Sequence, residues 1–116
     1  MWAFAILLVF CACRHSKNTT VPVDLIGVWK TPEPTYADRH FEITKDTLSF
    51  GTGEGRIDSH PILSIEEVPQ VPQGAEHFYI ISYADNGQKS VFSFHLNNGV
   101  IRIKNQKALQ WTKQRR

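Results

Sequence analysis

Arg39, with Tyr36, Tyr83 and Ser90, forms the set in this 116-residue chain whose types best suit chemistry. A guanidinium beside phenolic and alcoholic hydroxyls holds a carboxylate or another small anion through charge-assisted hydrogen bonds. Other constellations fall short. His40, His60, His77 and His95 are widely spaced, without the His-x₃-His type of spacing that places two imidazoles on one metal. They read as scattered, solvated side chains. Gly51, Gly53 and Gly55, with Thr52 and Glu54 between them, have the composition of a phosphate-binding loop. Such a loop needs a helix N-terminus after it, and the strand-like Arg56 and Ile57 follow instead. No Ser–His–Asp grouping, reactive-cysteine context or cofactor fingerprint is visible, and Glu66 and Glu67 point to opposite faces if they lie in a strand. The residues therefore predict a protein that is not an enzyme, with no metal and no cofactor.

Charge excludes one class of partner. Thirteen Lys and Arg against eleven Asp and Glu give a net charge of +2, too small for a nucleic-acid binder with a basic stripe. Lys107, Lys113, Arg115 and Arg116 read as a solvated basic end. Hydropathy is lopsided. The chain is 41% hydrophobic, but residues 1–12 are apolar throughout. That run is too short to cross ~30 Å of hydrocarbon, which takes about 20 helical residues, and it suits the core of a signal peptide. It ends in Cys11, Ala12 and Cys13. Here the sequence resembles a bacterial lipoprotein signal, with Ala12 in the place of the small residue and Cys13 in that of the acylated cysteine. An uncleaved apolar anchor and ordinary secretion are the alternatives. The resemblance implies a lipoprotein carrying palmitate-type chains on Cys13. It would be held at a membrane of the bacterial cell envelope and face the periplasm or the exterior. Maturation at Cys13 also removes Cys11, leaving no pair for a disulfide. Residues 13–23 then read as a polar tether and residues 24–116 as the folded domain.

The elements that must position Arg39 and Tyr83 are strands. No segment after residue 24 keeps a long 3.6-residue apolar period, and short alternating runs recur every 8–12 positions between turn residues. The expected strands are 25–31, 38–44, 47–53, 56–66, 77–84, 89–96, 100–104 and 108–114. Asn98-Gly99 is a strong type I′ hairpin signal. It pairs Leu96 with Ile101 and Phe94 with Ile103 on one face, and His95 with Arg102 and Ser93 with Lys104 on the other. Asn86-Gly87 independently pairs Ile81 with Phe92 and Tyr79 with Phe94 on the same apolar face. A turn at Lys45 and Asp46 pairs Ile43 with Leu48 and Phe41 with Phe50. A three-residue loop at 105–107 pairs Ile103 with Leu109 and Ile101 with Trp111. Eight strands joined mainly by tight turns predict an all-β, antiparallel up-and-down meander closing into a small barrel. A half-open sheet or two-sheet sandwich is the alternative. Pro61 interrupts the fourth strand and implies a bulge or an edge.

Gly27-Val28-Trp29 at the head of an eight-strand meander resembles the lipocalin, or calycin, signature, over residues 24–114. The resemblance implies a lipocalin-like barrel in which Gly27 and Trp29 mark the closed end and a basic residue of the last strand lies across the indole. Lys113 fits that role by its parity with Trp111, with Arg115 in reserve.

Whether the barrel holds anything is a question of volume. An eight-stranded barrel is just wide enough to be filled by side chains or to take one small ligand. Large residues, Ile57 among them, occupy most of its inward positions. One expectation is therefore a lipid-anchored binding module for a small amphipathic ligand at the open end, where Tyr36, Arg39, Tyr83 and Ser90 gather. The other is a protein–protein scaffold or inhibitor with a solid core, meeting an envelope protein through loops or the outer face at Phe78, Ile80 and His95.

Overall fold

The structure is a computed structural model that describes residues 16–18, 20–69 and 76–114; the expectations on Cys11, Cys13, Arg115 and Arg116 lie outside them. Among these residues nine strands form: β1 (Ser16–Asn18), β2 (Gly27–Lys30), β3 (His40–Ile43), β4 (Thr47–Gly53), β5 (Arg56–Val68), β6 (His77–Asp85), β7 (Gln88–Asn97), β8 (Val100–Ile103) and β9 (Trp111–Lys113). From β2 onward each strand pairs antiparallel with the next, β9 returns to β2, and β5 also pairs with β6. The result is a closed, eight-stranded antiparallel meander barrel. Closure removes the exposed edges that a flat sheet of this size would leave.

Local sequence explains the register. Asn86 and Asn98 take φ of 52° and 55°, each followed by a glycine at positive φ, the geometry of type I′ turns. They set Ile81 opposite Phe92, Tyr79 opposite Phe94, Phe94 opposite Ile103 and Leu96 opposite Ile101. The backbone N–H of Lys104 donates to the Ser93 carbonyl (3.0 Å), extending that ladder by one step. At the β3–β4 turn the Thr44 hydroxyl accepts from the N–H groups of Asp46 (3.3 Å) and Thr47 (2.9 Å). Ile43 thus meets Leu48, and Phe41 meets Phe50.

Two side chains depart from expectation. Ile57 faces outward, 60% exposed, because it pairs with Gly51; the register is irregular between Gly51 and Gly53, and Asp58 meets the inward Phe50. Asp58 and His60 take the inward parity instead. Leu109 does not extend a ladder from Ile103. The N–H of Gln106 bonds the Ile103 carbonyl (2.8 Å) and that of Leu109 bonds the Gln106 carbonyl (3.0 Å), which winds the segment into turns. Ile101 still pairs with Trp111.

β5 crosses Pro61 without a break, and its two halves serve different neighbours. Residues up to Pro61 pair with β4, and residues from Ile62 onward pair with β6. Beyond the reach of β4, the same edge of β5 is covered by β1, with Ser16 opposite Glu67 and Asn18 opposite Ile65. Part of the segment read as a tether is thus a strand. The chain then crosses the end of the barrel where β5 finishes, through a 3₁₀ turn at Val23–Leu25. Val21 and Leu25 are buried there, closing that end. Trp29, Phe41, Ile43, Leu48, Ile81, Phe94 and Ile101 are all at most 2% exposed. Burying each such side chain stabilises the fold by about 1.5–3 kcal/mol. This core explains how the described domain stands without a disulfide.

Candidate functional site

The two ends of the barrel differ. At the closed end the Trp29 Nε1 donates to the Leu25 carbonyl (2.9 Å), fixing the indole against the plug. Trp29 is paired with Lys113, whose Nζ lies 5.6 Å from the centre of the indole ring. The Lys113 stem passes so close to Gly27 that a β-carbon there would sit 2.8 Å from its Cγ and Cδ. Gly27, Trp29 and Lys113 therefore form one unit. Trp111 is also buried, its ring 5.3 Å from Phe41 and its Nε1 without a hydrogen-bond partner.

From Trp29 an aromatic column runs toward the open rim. Trp29 stacks on Phe41 (6.2 Å between ring centres), and Phe41 meets Phe92 edge-on (5.1 Å). Phe92 meets Phe50 (5.4 Å), and Phe50 reaches Tyr83 (5.9 Å) and His60 (6.0 Å). His60 and Tyr83 are themselves 5.1 Å apart. The column surfaces at these last rings.

The rim residues expected from sequence fall into two groups. Arg39 is exposed, with its guanidinium carbon 5.9 Å from the ring centre of Tyr36, and its N–H bonds the Tyr36 carbonyl (3.0 Å). Tyr83 and Ser90 face each other across β6 and β7, both half-buried, three strands away from β3. The structure thus joins Arg39 to Tyr36 and Tyr83 to Ser90, and separates the two pairs.

Tyr83 has other neighbours, which the sequence reading did not place at the rim. The β5–β6 ladder ends at Ile62 and Tyr83. Pro61 has no N–H to continue it, and the strands part. A cleft of about 660 Å³ opens between them, lined by Asp58, His60, Pro61, Asp85 and Asn86 among others. A second cleft of about 490 Å³ shares Ser59, His60 and Pro61 and reaches Asp46 and Ile62. His60 is only 18% exposed, and its Nδ1 stands 3.9 Å from Asp85 Oδ1, an ion pair whenever the ring is protonated. His60 is therefore not one of the solvated histidines the spacing suggested. Its signal was available: once Phe50 opposes Asp58, alternation turns His60 inward.

Chemically, the cleft lining brings the carboxylates of Asp58 and Asp85 beside the His60 imidazole, with the Tyr83 ring against His60. Carboxylates attract cations, so the lining suits an ammonium or N–H-bearing head better than a carboxylate. Among the described residues no three His, Cys, Asp or Glu side chains are grouped to hold a metal. On the outer face, Phe78 packs on His95 (4.6 Å), and both are half-buried with Ile80. His95 Nδ1 lies 2.5 Å from Glu76 Oε2, an ion pair whenever the ring is protonated. Val91 is 57% exposed on the neighbouring strand.

Burial pushes the Tyr79 hydroxyl above the usual tyrosine range, and the charges of Glu67 and Asp24 add to the shift.

No family model, curated protein or solved structure matches this chain.

Proposed function

We propose that the protein is a lipid-anchored binding module of the bacterial cell envelope, with a lipocalin-like barrel that holds a small amphipathic ligand at its open rim. Acylation at Cys13 is read from the apolar leader and from Ala12 before the cysteine. The binding reading rests on one observation. The aromatic column surfaces at Tyr83 and His60 beside the cleft where β5 and β6 part. The ligand's apolar part lies along Phe50 and Tyr83, and its head meets Asp58 and Asp85. Because rings fill the axis from Trp29 to Phe50, the ligand sits at the rim rather than deep in the barrel.

Calorimetric titration with octylamine and with octanoate tests this. The amine is expected to bind and to weaken about tenfold in Asp85→Asn, the loss of one charge-assisted contact of roughly 1.4 kcal/mol. Binding of octanoate alone, lost in Arg39→Ala, would move the site to the Arg39–Tyr36 side. Binding of neither would remove the small-ligand reading.

The same ring-filled axis also favours a second reading, a protein–protein module with a solid core. Val91 and Ile57 are its exposed apolar contacts, at 57% and 60%. Capture of an envelope protein that is lost in Val91→Asp, with no response to either octyl compound, would favour it.

A further inference from the structure

We propose that the closed end of the barrel is the face turned to the bilayer and that the open rim points away from it. The inference rests on the anchoring reading above and extends it to an orientation. Three positions separate Cys13 from Ser16, the first residue of β1. A chain of that length spans at most about 10 Å. Ser16 is pinned opposite Glu67, one residue from the end of β5 and so at the closed end. β1 runs antiparallel to β5, so Ser16 lies nearer that end and Asn18 nearer the rim.

The opposite end is out of reach. β6 and β7 stay paired from His77 and Leu96 at the closed end to Asp85 and Gln88 at the rim. Nine residues at 3.3 Å, tilted as barrel strands are, separate the two ends by roughly 20 Å along the axis. An anchor within about 10 Å of Ser16 therefore holds the closed end at the headgroups while the rim stands in the aqueous phase. The segment that crosses the closed end also carries Val23, 76% exposed and the most exposed large apolar side chain among the described residues. A bilayer surface is a fitting cover for it. The orientation leaves the cleft at His60 and Asp85 open to ligands arriving from water.

Energy transfer from a fluorophore on the full-length, acylated protein to a headgroup-bound acceptor tests the orientation in phosphatidylcholine–phosphatidylglycerol vesicles. Asn97→Cys places the fluorophore at the closed end of β7 and Gln88→Cys places it at the rim end of the same strand; both positions are exposed. Transfer is expected to be about threefold or more higher from position 97, given the ~20 Å between ends. Inserting about twelve Gly-Ser residues before Ser16 should erase the difference by freeing the tether. Equal transfer from both positions, or stronger transfer from position 88, with the protein still floating with the vesicles, overturns the orientation alone. Failure to float with vesicles overturns the anchoring reading, and the orientation with it.

Discussion

The Lys113 ammonium lies 5.6 Å from the centre of the Trp29 ring, and its stem fills the space where Gly27 lacks a side chain. The pair joins β9 to β2 beside the Lys30–Thr112 pairing and the Gln114 N–H bond to the Val28 carbonyl (2.8 Å), which together close the barrel. At a partly exposed site the cation–π component contributes about 0.5–1 kcal/mol. Lys113→Met should lower stability by that amount in urea unfolding. Gly27→Ala should cost more, about 1–3 kcal/mol, because the new methyl meets Lys113 and φ is +150°. Adding Lys113→Ala should relieve part of this cost. Strict additivity of the two substitutions would show that the contact carries no coupling.

Phe41 is the hub of the aromatic column, touching Trp29, Phe92 and Trp111. Phe41→Ala should destabilise the domain by about 3–5 kcal/mol, through lost burial and the cavity left behind. A loss below about 1 kcal/mol, measured by chemical denaturation, would mean that the barrel interior is not packed this way.

Tyr79 supplies a pH test. Its folded-state pKa lies above the ordinary value of 10.0 because of burial, then Glu67 and Asp24. Between the two values the folded state binds more protons than the unfolded state. Stability from this group is therefore full below pH 10 and falls as pH rises through the folded value. Tyr79→Phe should flatten this alkaline fall. An unchanged slope in urea midpoints between pH 9 and 11 would contradict the burial of the hydroxyl.

Acylation is tested without reference to the barrel. Cys13→Ser should abolish incorporation of labelled palmitate, whereas Cys11→Ser should leave it intact. Continued labelling of the Cys13 variant would remove the anchor.

Much of the barrel is legible in the sequence because its turns are chemically explicit. Asn86-Gly87 and Asn98-Gly99 demand positive φ at both positions, and one such turn fixes every pair in its hairpin. Strand parity alone does not place Arg39 and His60. Arg39 comes before the start of β3, so strand parity does not govern it, and a neighbouring Tyr36 holds it outside. His60 depends on the register after Gly51, where the irregularity shifts which residue faces Phe50. The cleft itself arises where a ladder stops at Pro61, and a proline in sequence marks an interruption without saying which neighbour is lost. The pairing of β1 was equally hidden, since Ser16–Asn18 has no apolar alternation to announce a strand.

The central claim is that a ligand head sits between Asp58 and Asp85 with its apolar part on Tyr83. The most direct test is a nitrogen-15 and carbon-13 NMR titration of the domain with octylamine, followed at every assigned residue. Saturable shifts centred on Phe50, His60, Tyr83 and Asp85, reduced in Asp85→Asn, are the predicted result. Absence of saturable shifts, or shifts confined to the outer face around Val91 and Phe78, would contradict it.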